Sequence, residues 1–154
     1  MSKCSNTRAI SYTGKSTRET AKVAGLTAST SKIELSYDKG KVSVNSKVSA
    51  NAGGVTGWCA DMCNCYSTGT VTHRGTGNAG GLSAEAGVLD GFVKCNYSTG
   101  KISARSSKQM FAGALIGHYS GEHIIMKRNI FDNYCTTSSK AYGGADYTWK
   151  PWLA

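Results

Sequence analysis

The residues with the strongest coordinating and nucleophilic chemistry are six cysteines and three histidines. Cys59, Cys63, Cys65 and Cys95 supply four thiols, the number a tetrahedral zinc ion takes. Their spacing argues against that use. Structural zinc sits between paired Cys-Cys knuckles, and only Cys59 and Cys63 form one, with Cys65 directly behind. Free, buried thiols acting as small apolar side chains are the preferred reading, with a disulfide the alternative; no metal and no cofactor is expected. His73, His118 and His123 lack the i, i+4 spacing of helical ligands and are expected to be surface polar residues. Glycan hydrolysis or elimination needs paired carboxylates on one face, whereas Asp61, Glu85, Asp90, Glu122 and Asp132 share no repeated position. Gly75 to Gly80 satisfies a literal GxGxxG, but no helix is predicted behind it, so its glycines are turn residues. The expectation is a protein that is not an enzyme.

What would position these side chains is an internal repeat. Asn64-Cys65-Tyr66-Ser67-Thr68-Gly69-Thr70-Val71-Thr72 has a second copy in Cys95-Asn96-Tyr97-Ser98-Thr99-Gly100-Lys101-Ile102-Ser103 and a looser one in Tyr37-Asp38-Lys39-Gly40-Lys41-Val42-Ser43. Weaker copies begin at Tyr12 and Tyr134, so five tyrosines stand 25 to 37 residues apart, a solenoid-like period. A second block recurs beside the first: Ala24-Gly25-Leu26, Gly53-Gly54-Val55, Gly80-Gly81-Leu82 and Gly113-Ala114-Leu115, with Tyr142-Gly143-Gly144 a truncated fifth.

Residues two and four places before each tyrosine, such as Leu35 with Ile33 or Asn64 with Met62, predict a strand face shared with the ring. Gly40, Gly69 and Gly100 predict a bend through positive φ, after which Val42, Val71 and Ile102 carry a second strand. The glycine-aliphatic block makes a third side. One such rung cannot bury its apolar residues alone, and stacking rungs lines them into ladders. The predicted fold is therefore all-β, a parallel β-solenoid (β-helix) of about five short three-sided coils over residues 12–145. Residues 1–11 are expected as an N-terminal arm or capping rung, and 146–154 as an aromatic C-terminal cap or docking tail. In this alignment Cys65 and Cys95 are offset by one position and should point to different faces.

Together the two blocks resemble the GLUG-motif repeats of bacterial proteins, most specifically in the Tyr37, Tyr66 and Tyr97 units. The chain departs from the pattern at Tyr12, where Gly14 comes one place early, and at Tyr134, which no glycine follows. Ala28 and Ala84 also replace a glycine that Gly57 and Gly117 keep. The resemblance implies a stack of short strands of the kind found in surface, adhesin-like or protease-associated proteins, with no activity of its own.

At 154 residues the chain suits one domain, and its single proline, 19 glycines and many Ser and Thr suit short strands and tight turns. No stretch is long and apolar enough for a membrane span, and the first residues lack the apolar core of a signal peptide. A cytoplasmic location is expected, or an extracellular one if a leader was removed. The formal charge of +9, from 18 basic and 9 acidic residues, points to an acidic or polyanionic surface as partner.

Two binding readings follow. In the first, a macromolecular partner, a protein in preference to nucleic acid, meets a lateral loop carrying His118, Tyr119, His123, Lys127 and Arg128, and the tail residues Trp149 and Trp152. This covers an interaction, assembly or inhibitor module. In the alternative, Lys39, Lys41, Lys101, Arg105 and Lys108 stack into a basic stripe for nucleic acid or acidic glycan. A secreted adhesin module is the second alternative. The chain is expected as a monomer or a small homo-oligomer joined through its solenoid ends.

Overall fold

A computed structural model describes residues 1–14, 20–87, 92–106, 110–120, 130–135 and 142–145. All are strand, turn or irregular; among them there is no helix, and every strand pair is parallel. The chain is a β-solenoid with three longer sheets and a two-residue ladder at one bend. The ladder stacks Ser5–Asn6, Tyr37–Asp38, Tyr66–Ser67, Tyr97–Ser98 and Tyr134–Cys135. A β-branched sheet follows, of Ile10–Gly14, Val42–Ser46, Val71–Arg74 and Ile102–Arg105. An Ala/Gly sheet comes next, of Ala21–Ala24, Ala50–Gly53, Gly77–Gly80 and Met110–Gly113. The widest sheet has seven strands, and Thr56–Cys63 at its centre pairs with Thr30–Glu34 on one side and with Ser83–Ala86 and Val93–Lys94 on the other. Tyr142–Ala145 joins this sheet on Ile116–Tyr119, while residues 146–154 lie outside the described residues.

The register corrects the first unit. Ile10 pairs with Val42 and Tyr12 with Val44, so the residue in the tyrosine position of the first coil is Ser5, paired with Tyr37. Tyr12 belongs to the interior of the β-branched sheet, packed against the core formed by Val23, Val42, Val44, Ala50, Ala52 and Val71. A second apolar cluster contains Ile33, Val55, Cys59, Met62, Leu82, Val93, Leu115, Ile116 and Tyr119.

The bends work differently from the sequence expectation. Positive φ falls two residues before the tyrosine position, at Lys3, Leu35, Asn64, Cys95 and Asp132, with φ between 49° and 56°. These residues turn the chain, so the period-two pattern breaks there: Ile33, Met62 and Val93 are buried while Leu35, Asn64 and Cys95 are exposed. No glycine occupies this corner, so its residues carry the strain of the left-handed region and neighbouring side chains hold it closed. Ser36 Oγ donates to the Glu34 carbonyl across the corner (2.7 Å) and accepts from Cys4 N (3.0 Å). Asn96 does more, accepting from Cys65 N (2.8 Å) and donating to the Met62 carbonyl (3.1 Å) and Asn133 Oδ1 (2.9 Å).

Gly40, Gly69 and Gly100 have ordinary φ and are required for closeness instead. A Cβ on Gly69 would lie 1.9 Å from the Gly40 carbonyl oxygen, and one on Gly100 equally close to that of Gly69. The two sequence blocks also meet in space. The residue after each tyrosine points inward, and a Cβ on Gly25, Gly54 or Gly81 would collide with Asp38, Ser67 or Ser98 respectively. Those three side chains are fully buried. They form a polar seam lined on one side by glycine.

Candidate functional site

Because the residue after each tyrosine faces in, the tyrosine faces out. Tyr37, Tyr66 and Tyr97 stack in parallel, with ring centroids 4.8 Å apart and interplanar angles of 6° and 1°. The spacing is that of neighbouring strands, so the backbone ladder itself sets the rings in register. Tyr134 pairs with Tyr97 next in the ladder. Exposure rises along the row to 39% at Tyr97 and 61% at Tyr134. Lys39 Nζ lies 5.1 Å from the Tyr37 ring centroid and 5.9 Å from that of Tyr66, a cation held on the aromatic row.

The other expected basic residues flank this row. Lys41 and Lys101 are exposed in equivalent positions two rungs apart, with Thr70 between them, so they do not make an unbroken column. Arg105 is exposed and stands opposite Arg74 on the neighbouring strand of the β-branched sheet. Lys108 lies outside the described residues.

A groove of about 610 Å³ opens on another side of the coil, between the outward columns of the Ala/Gly sheet and the widest sheet. Lys22, Asn51, Asn78 and Phe111 share one column by strand register; Trp58, Glu85 and His118 share the other. The columns touch rung by rung. Lys22 Nζ lies 5.8 Å from the Trp58 ring, Asn51 Nδ2 donates to Glu85 Oε2 (3.0 Å), and Phe111 stacks on His118 at 5.0 Å. Asn51 Oδ1 in turn accepts from Asn78 N (3.0 Å).

Of the residues expected to meet a partner, His118 is therefore in a surface groove. Tyr119, its neighbour, is a correction: it is fully buried in the core, because adjacent strand residues point to opposite faces. His123, Lys127, Arg128, Trp149 and Trp152 lie outside the described residues. His73 is a second correction. It is fully buried in the position of Val44 and Ala104, with Nε2 2.7 Å from the Ala50 carbonyl oxygen and no partner at Nδ1 among the described residues. Burial holds its imidazole below the usual histidine range.

The cysteines do not converge. Cys59 and Cys65 are buried and Cys95 is exposed, so the one-position offset does send Cys65 and Cys95 to different faces. Burial pushes the Cys59 and Cys65 thiols up to about 11, which leaves them protonated and poorly nucleophilic at neutral pH. Among the described residues no group of three or more His, Cys, Asp or Glu is placed to hold a metal ion. Gly75 and Gly77 have φ of 132° and 125°, so the literal GxGxxG is a turn that leads into a strand.

The class these features define is a parallel β-solenoid with an outward tyrosine ladder and a mixed aromatic and polar groove. Compared with known proteins, the chain matches no family model, no curated protein and no solved structure. Among the described residues no helix is long and apolar enough to cross a membrane.

Proposed function

We propose that this chain is a non-catalytic binding protein that recognises another macromolecule, a protein in preference to a polyanion, and that the tyrosine ladder is its anchor. The carrying observation is the outward stack of Tyr37, Tyr66 and Tyr97 at 4.8 Å. Tyrosine offers large amphipathic contact area with few rotatable bonds, and rings already stacked lose little further freedom on binding. Protonated, buried Cys59 and Cys65 thiols fit a binding role, as do the GLUG-like blocks, a resemblance that implies no activity of its own. The loop residues His123, Lys127 and Arg128 and the tail residues Trp149 and Trp152 are proposed as flanking contacts, in a cytoplasmic interaction, assembly or inhibitor module.

The test is an affinity pull-down of the tagged protein from its own lysate, with and without nuclease, at low and near-physiological salt. One protein should co-elute stoichiometrically and survive nuclease. Its affinity should fall about tenfold or more for Tyr66→Ala with Tyr97→Ala, the scale of an interface hot spot. If no stoichiometric protein appears, the reading fails.

The polyanion reading has its own support in Arg74 and Arg105. Both are exposed and stand opposite each other in strand register, a like-charge pair that a bound anion would relieve. Nuclease-sensitive binding that weakens steeply with salt and on Arg105→Ala would favour it.

A further inference from the structure

The groove is built from columns that break the repeat. Where the tyrosine row keeps one residue type, the two facing columns read Lys22, Asn51, Asn78, Phe111 and Trp58, Glu85, His118. Varied side chains at stacked positions are not needed for stacking, since the core columns alone supply the burial. From their chemistry we propose that the groove binds a neutral oligosaccharide laid along the axis of the coil stack.

Three features of the groove point to that class. An apolar ring, Phe111, lines it beside the His118 imidazole, and such a face covers the C–H side of a pyranose; Trp58 stands next to the lining, in the Glu85 column, with Lys22 over its ring. The lining also carries planar amide and carboxylate groups that match vicinal hydroxyls. Asn51 is held by Glu85 Oε2 and Asn78 N, while the other Glu85 oxygen and the Asn78 amide have no hydrogen bond among the described residues. A buried or half-buried acceptor and donor facing open space are ready to meet hydroxyls without reorganising. The charge of the lining is close to balanced, with Lys22 against Glu85, although the chain as a whole carries +9. A polyanion is therefore not selected at this face.

Spacing adds direction. Rungs repeat at about 4.8 Å, and an extended sugar chain advances by little more than this per residue, so successive sugars meet successive rungs. Among the described residues the lining contains one carboxylate, Glu85, and glycoside hydrolysis uses two, so the role proposed for the site is to hold a glycan. It stands apart from the tyrosine ladder, and failure of either reading leaves the other in place.

The experiment titrates the full chain with cellotetraose, xylotetraose, chitotetraose and mannotetraose, with tetragalacturonate as the acidic comparison. Binding is read by calorimetry and by NMR shifts of the Asn51 and Asn78 side-chain amides and the Phe111 ring. At least one neutral probe should shift all three sites saturably, with an affinity that salt does not change. Phe111→Ala should weaken it about tenfold, and Phe111→Tyr, which keeps a ring, by no more than about threefold. A thermal melt checks that each variant is folded. The proposal is overturned if no neutral probe shifts these groups, if only tetragalacturonate binds, or if Phe111→Ala is folded and binds normally.

Discussion

The tyrosine ladder and the groove are both outward columns of one coil stack, yet they are built on opposite rules. The ladder repeats one residue, and its rings stack at 4.8 Å because the strands do. The groove repeats only asparagine: Lys22, Asn51, Asn78 and Phe111 occupy one column, and beyond the Asn51–Asn78 step they share no chemistry. A repeated column is legible as architecture, whereas a divergent column is free to specialise. Inward columns show the same contrast, with Val42 and Val71 interchangeable but His73 replacing Val44 in mid-core.

The sharpest way to break the comparison is to disturb a repeated position that backbone closeness demands. Gly69→Ala places a Cβ 1.9 Å from the Gly40 carbonyl oxygen, and neither backbone can yield without moving a whole rung. It should cost about 3 kcal/mol or more in urea denaturation. An unchanged midpoint would show that the rungs are looser than the geometry states. By contrast, exposed Thr68 beside it should accept alanine within about 0.5 kcal/mol.

A smaller effect separates two polar residues in the interior. Burial pushes the Asp38 carboxyl up to about 6 from 3.8, with Oδ1 accepting from Asn6 Nδ2 (2.8 Å) and Gly40 N (3.3 Å) and Oδ2 without a partner among the described residues. Between pH 3.8 and about 6 the folded state holds the extra proton, so this group's contribution is complete in acid and is lost as pH rises through that window. His73 acts in the other sense. Below its ordinary value near 6.5 the unfolded chain takes a proton that buried His73 refuses, so stability falls as pH drops. In Asp38→Asn only the histidine contribution remains, and acidification from pH 7 to 4 should destabilise; at pH 7 this variant should gain about 2 kcal/mol. In His73→Val only the aspartate contribution remains, and the same acidification should stabilise. Parallel pH profiles for the two variants would refute the assignment.

Smaller still is the ladder's contribution to stability. Tyr66→Ala removes two stacked contacts on an exposed face and should cost about 1 kcal/mol in thermal or urea unfolding. Its larger effect should be on partner affinity. Least of all, Lys41→Ala or Lys101→Ala should leave stability within about 0.5 kcal/mol, and any change in polyanion binding should vanish at high salt.

Much of the coil could be read in the residues. The Tyr37, Tyr66 and Tyr97 units and the β-branched strand behind each appear as stacked strands, and the solenoid is observed; the Gly-aliphatic block is instead the bend between the Ala/Gly sheet and the widest sheet, at Gly54-Val55 and Gly81-Leu82. The facing of the tyrosines was harder. An apolar residue two places earlier suggested a shared inward face, but the left-handed corner at Leu35, Asn64 and Cys95 resets the alternation, and no glycine marks it. The groove was less legible again, since Trp58, Glu85 and Phe111 belong to no motif; their one common sign is that they break a repeat.

The sequence by itself determined that this chain stacks. A recurrent tyrosine, a recurrent glycine and a recurrent β-branched residue can satisfy themselves only by pairing with their own copies in the next rung. Only the tertiary structure decided which way each column faces and which columns become neighbours. Those depend on the corner φ at Lys3, Leu35, Asn64, Cys95 and Asp132, and on glycines such as Gly54 admitting Ser67 from a different block. Both are matters of closeness between residues far apart in the chain, and a one-residue change of corner turns a buried column into an exposed one.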